Sequence, residues 1–167
     1  MNPSRNLLRR PRRNPPRRSF SFFWIFWLLA LPVLGQGVPI QDLSLAGVTL
    51  VQNPEQIREL LGTPVATHQT QDSATGEPAS IRIFPQLTAY FVKGEAMRLK
   101  TTDPETSTLA GARVGDRIAR VLELYAPATP RLQTPNRLEL QVDETEAVMA
   151  FHLYRGRVTA IEILLDY

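Results

Sequence analysis

The chain has 167 residues, a formal net charge of +3 and no cysteine. Without cysteine no disulfide, thiol nucleophile, thiolate metal site or lipid-modified cysteine is available, and the fold must stand on its apolar core. The positive sign belongs to the front alone: residues 1–37 hold seven arginines and no acid, while residues 38–167 hold twelve basic against sixteen acidic side chains, a balance of −4, which removes the usual electrostatic basis for nucleic-acid binding.

The seven arginines, from Arg5 to Arg18, precede an apolar run from Phe20 to Leu34. A basic segment followed by an apolar one is the pattern of a secretory signal. The run is shorter than the roughly 20 residues a spanning helix needs, and Pro32 stands near its end, so residues 1–37 are expected to be a signal peptide. Gly35 and Gly37 offer small residues before a cut; a signal anchor left in place is the alternative. Either places the folded part outside the cytoplasm, in the periplasm or cell envelope or secreted.

Asn53 to Pro64, NPEQIRELLGTP, spells a short helix. Asn53 can cap it, Pro54 suits the first helical position, and Gln56 sits where a capping box closes. Ile57, Leu60 and Leu61 form the apolar stripe, and Gly62 and Pro64 end the helix. Period-two patterning follows in Ile81 and Ile83, then Leu87, Ala89 and Phe91, a Lys93-Gly94 turn, and Met97 with Leu99. Pro85 shortens the first of these strands or places it at an edge. The polar stretch Thr67 to Ser80 reads as a loop.

A similar phrase returns at Gly115 to Pro127, GDRIARVLELYAP, where Ile118, Val121, Leu122 and Tyr125 repeat the stripe and Asp116 suits the positive end of the helix. Pro127, Pro130 and Pro135 stiffen the next loop. Leu138, Leu140 and Val142 then alternate with polar residues, Met149, Phe151 and Leu153 alternate with Ala150, His152 and Tyr154, Arg155-Gly156 turns the chain, and Thr159, Ile161, Ile163 and Leu165 share one face. The expected fold is α+β: two tandem repeats, 38–104 and 105–167, each a helix plus a three-stranded antiparallel meander, with the helices packed on one sheet face. Each repeat alone is marginal in size, so the two should share a core or a sheet edge. Val38–Gly47 leads into the first repeat and Thr101–Gly111 joins the two.

No constellation for chemistry emerges. His68 and His152 fall in different repeats with no ligand spacing between them. The acidic runs Asp143–Glu146 and Asp103–Glu105 lack the alternating oxygen ligands and central glycine of a calcium loop. Neither a phosphate cradle nor a nucleophile elbow is present. The chain is therefore expected to be no enzyme, with no catalytic, cofactor or metal residues. Two surface features stand out. If Phe91 and Leu153 face the helices, then Tyr90, Val92, His152 and Tyr154 point to the other side of the sheet, where amphipathic aromatics suit protein recognition. Arg113, Arg117 and Arg120, spaced as one polar face of the second helix, could meet an anionic lipid or glycan.

A capped helix ending in LLGTP, a meander with a Lys-Gly or Arg-Gly turn, and the doubling of that unit resemble the SmpA/OmlA-type envelope domain and its tandem relative, the β-lactamase inhibitory protein fold. The resemblance spans about residues 47 to 165. It implies a non-catalytic module of the cell envelope that grips another protein with its sheet face, the partner being an envelope or secreted protein. The alternative function is a structural envelope component that binds anionic glycan or lipid through the arginines. Membrane contact would come only through an uncleaved N-terminal segment.

Overall fold

Asn53 does what its side chain permits. Its carboxamide oxygen accepts from the Gln56 N–H at 3.0 Å, and the Gln56 side chain accepts from the Asn53 N–H at 2.9 Å, a complete capping box at the start of α1 (Pro54–Leu61). Gly62, at φ 83°, ends that helix. Only Ile57 of the stripe is fully buried; Leu61 packs partly buried against the core, and Leu60 is 54 % exposed. The computed structural model describes residues 37–39, 43–142 and 145–165, which lie in one compact unit. The expected leader, residues 1–37, falls outside the described residues except for Gly37.

Strands follow α1 as β3 (Ala66–Gln71), β4 (Pro78–Ile83), β5 (Thr88–Val92) and β6 (Glu95–Thr101). Ahead of it, β1 (Ser44–Leu45) and β2 (Val48–Thr49) make a small hairpin. After α2 (Ile118–Leu124) come β7 (Pro130–Thr134), β8 (Arg137–Gln141), β9 (Ala147–Tyr154) and β10 (Arg157–Leu165). All eight longer strands join one antiparallel sheet in the order β3-β4-β5-β6-β10-β9-β8-β7. The expected α+β class with three-stranded meanders is thereby overturned. The described residues are mostly strand, their two helices span eight and seven residues, and the sheet is a single surface of eight strands.

The discrepancy has two sources. Besides the small β1–β2 hairpin, the unforeseen strands are β3 and β7, which are the edges of the eight-stranded sheet, and nearly every residue in them is exposed. An edge strand with no buried face carries no apolar alternation, so Thr67–Ser80 reads as a loop although its first part pairs with β4 from Ala66↔Ile83 to Gln71↔Pro78. Of the two readings of Pro85, the edge fails, because β4 is paired on both sides, while β4 does end at Ile83, ahead of the proline. The second source is a pair of bulges. Met97 is an extra residue between the Phe91↔Ala96 and Tyr90↔Arg98 pairs, so Ala96 and Leu99 reach the core while Met97 does not. Thr159 is extra between Val158↔Leu153 and Ala160↔His152, so Val158, not Thr159, joins Ile161 and Ile163 in the core.

One core serves the whole unit. It gathers Leu45 and Val48 from the small hairpin, Ile57 from α1, Phe91 and Leu99, Val121 and Tyr125 from the region of α2, and Leu138, Met149, Phe151 and Ile161. The Tyr125 and Phe151 rings lie 5.8 Å apart, and the Tyr125 hydroxyl meets Thr108 Oγ1 at 2.7 Å. The segment expected only to join two halves thus buries Thr106 and Thr108, and the expected lead places Val38 at 0 % exposure, its N–H donating to the Gln141 carbonyl. At the centre of the sheet β6 pairs with β10, from Thr101↔Ile161 to Arg98↔Leu164.

Candidate functional site

Alternation divides the sheet into two faces. Phe91, Leu99, Ile161, Met149, Phe151, Leu138 and Leu140 form the core side, to which Ile57 and Val121 of the helices also belong. The register places Ile81, Ile83, Thr88, Tyr90, Arg98, Lys100, Glu162, His152, Arg137 and Glu139 on the opposite face. Neither helix lies there among the described residues, and Arg98 and Lys100 are exposed on it.

A chain of charge runs across the middle of this open face. Glu162, only 7 % exposed, sits on central strand β10. Its carboxylate reaches His152 Nε2 at 2.9 Å, Arg98 Nε at 3.5 Å and Arg137 Nη1 at 3.7 Å. Arg137 also holds Glu139, which Arg131 approaches at 4.0 Å. Five adjacent strands are therefore tied by side chains as well as by their ladders. A carboxylate so far removed from water requires such partners, and having three of them fixes the rotamers of long side chains that would otherwise wander. Arg98 in turn lies 5.9 Å from the Tyr90 ring centroid, within cation–π range.

The four residues expected to bind a partner do share this face, but they do not form one cluster. Tyr90 and Val92 lie on β5, His152 and Tyr154 on β9, and β6 and β10 intervene: three strand spacings, roughly 14 Å. Val92 is 9 % exposed and Tyr90 is half-buried, its hydroxyl donating to Asp72 Oδ1 at 3.0 Å. His152 is committed to Glu162. Tyr154, at 62 % exposed, presents the most surface, and the Arg155 guanidinium lies 5.1 Å from its ring centroid. Arg98, Lys100 and Glu162, which lie between the two pairs, escape sequence reading because nothing in the order of residues announces that β6 meets β10. Parity alone does place Glu162 opposite in face to Ile161 and Ile163.

The three arginines expected on one helical face are dispersed. α2 begins at Ile118, so Arg117 is its N-cap residue, making no side-chain capping bond, and Arg113 precedes the helix altogether. Only Arg120 lies within α2, and it pairs with Glu123 at 3.1 Å. Gly115 breaks the periodicity that the sequence suggests, because its φ of 97° is incompatible with a helical turn.

Around Tyr90 the face sinks into a depression of about 200 Å³, lined by Ile81, Thr88, Tyr90, Arg98, Lys100 and Glu162. Its rim is stiffened from the β3–β4 turn. There Asp72 accepts from the Thr75 hydroxyl at 2.8 Å, the Thr75 N–H at 2.9 Å and the Tyr90 hydroxyl, and these bonds, Thr75's foremost, hold its carboxyl below the usual range. Asp103 is lowered in the same way, chiefly by the Thr106 hydroxyl at 2.7 Å and then by the Glu105 N–H. Larger hollows, such as one of about 690 Å³ beside the Arg155-Gly156 turn, lie at strand ends and open widely to solvent. Among the described residues no group of three potential metal ligands occurs, and no helix is long and apolar enough to cross a membrane.

No family model matches the chain, and no curated protein does. Among solved structures the chain is similar to the uncharacterized protein yfeY from Escherichia coli, with 16 % identity over 78 % of this chain and 97 % of that one and a TM-score of 0.44.

Proposed function

We propose that this chain is an exported, non-catalytic binding module of the cell envelope that holds another protein against the open face of its sheet. The observation that carries the reading is the division of labour between the two faces. One face and both helices build a single core, while the other is crossed by an ordered row of ion pairs and flanked by Tyr90 and Tyr154. Preformed side chains on a rigid sheet lose little freedom on binding, which favours recognition over a broad surface. Export rests on the basic-then-apolar order of residues 1–37. The role of His152 supports binding over catalysis: its Nε2 is spent on a carboxylate already shared by two arginines.

The alternative, an anionic glycan or lipid on Arg113, Arg117 and Arg120, draws less support because those residues do not share a helix face. The two readings separate in one experiment. A partner captured by the full chain from its native envelope should be lost by Tyr154→Ala, since aromatic anchors commonly contribute about 2 kcal/mol or more. It should be retained by the triple Arg→Gln variant at 113, 117 and 120. The reverse result would overturn the proposal.

A further inference from the structure

The open face has the wrong sign for the molecule that carries it. Residues 38–167 have a net charge of −4, yet the patch at the middle of this face holds Arg98, Lys100, Arg131 and Arg137 against Glu139, Glu162 and, at the rim of the depression, Asp72, a balance of +1 with histidine left out of the count. Glu95, on this face by its register with Val92, lies beyond the patch at the start of β6. Within the patch the charges are not equally engaged. Lys100 stands directly opposite Glu162 in the β6–β10 register, but the Glu162 carboxylate turns to Arg98, Arg137 and His152. Lys100 is exposed and, among the described residues, makes no ion pair. It stands at the rim of the depression, whose other wall is the apolar side of Ile81 and the Tyr90 ring. At about 200 Å³ the depression is smaller than the roughly 300–1,000 Å³ of small-molecule sites, and is suited instead to a single side chain of a larger partner.

We infer that the partner presents an acidic, extended segment, one carboxylate of which meets Lys100 and Arg98 while an apolar side chain two residues away enters the depression against Ile81 and Tyr90. This rests on the protein-binding reading above and specifies its chemistry. Alternation along an extended segment supplies both features. An acidic residue and an apolar one two positions away point to the same side, one reaching Lys100 and Arg98 at the rim and the other the hollow. The remaining arginines of the row steer such a segment toward the face, an effect that salt suppresses.

The test uses the full chain in mild detergent and three fluorescent eight-residue peptides that repeat phenylalanine-serine-X-serine, with X glutamate, glutamine or lysine, so that phenylalanine and X share one side. Vesicles containing one-third phosphatidylglycerol serve as a fourth probe. The glutamate peptide should bind at least tenfold more tightly than the glutamine peptide, and less tightly as salt is raised. Lys100→Glu should weaken glutamate-peptide binding at least tenfold and strengthen binding of the lysine peptide, a reversal that misfolding cannot produce. Arg120→Glu should change neither. Thr88→Trp, which fills the depression, should weaken all peptides. Equal binding of glutamate and glutamine peptides, still blocked by Thr88→Trp, would overturn the acidic partner and leave the sheet-face reading standing. Peptide binding indifferent to both Lys100→Glu and Thr88→Trp would overturn both. Vesicle binding lost in Lys100→Glu, with no peptide bound, would make the ligand a lipid surface and likewise overturn the inference.

Discussion

Asp72 shows how a residue on a polar turn comes to govern the shape of a surface far away in sequence. Its carboxylate closes the β3–β4 turn through Thr75 and at the same time anchors the Tyr90 hydroxyl eighteen residues on. These bonds favour the charged form and lower the folded-state pKa. A lowered carboxyl contributes stability that is present above the unfolded pKa of about 3.9 and disappears as pH falls through the folded value. Asp72→Asn should therefore lower Tm at pH 7, and the gap to the unaltered protein should narrow as pH drops below about 4. Thermal melts across pH 2.5–7 on about a half-unit grid check this; a gap that stays constant in acid would show that the carboxylate charge is not what matters. Tyr90→Ala is for the same reason a poor probe of binding, since it also frees Asp72, whereas Tyr154→Ala removes an exposed ring.

At the scale of elements, legibility follows burial. The capping box of α1, the turns at Lys93-Gly94 and Arg155-Gly156, and the alternation of β8 are all readable because each rests on local chemistry: a side chain that can reach a backbone N–H, two consecutive positive φ values, a buried face every second residue. β3 and β7 are not readable, since they are ordered by their neighbours and bury almost nothing. The bulges at Met97 and Thr159 also hide, because a single extra residue reverses the faces beyond it without altering composition. The candidate site suffers most, as the β6–β10 pairing that brings Lys100 beside Glu162 joins residues sixty-two positions apart. The two helices differ in a way that can be measured. Asn53→Ala should cost about 1 kcal/mol by removing the α1 cap. Arg117, whose φ of −76° and ψ of 144° already suit a cap, makes no capping bond, so Arg117→Asp should stabilise α2 by roughly 0.5–1 kcal/mol. Urea unfolding of both variants tests this, and a destabilised Arg117→Asp protein would show that the exposed arginine has a structural role.

For the whole molecule, the pairing of β6 with β10 matters twice. It merges the strands after α1 and those after α2 into one sheet over one core, and it creates the middle of the open face. Residues 38–104 and 105–167 produced separately should be largely unfolded, because each would expose a central strand and half a core, and chains near 60 residues are marginal even when self-contained. Two independent cooperative melts would contradict that. The central claim, that the open face is where a partner sits, is tested most directly by photo-crosslinking in the producing cells. A benzophenone amino acid is placed at Ile83 or Tyr154 on that face and, for comparison, at the exposed helix residues Glu59 and Arg120. A discrete protein adduct is expected from the two sheet positions and none from the helix positions; adducts from Glu59 or Arg120, with none from Ile83 or Tyr154, would place the partner elsewhere.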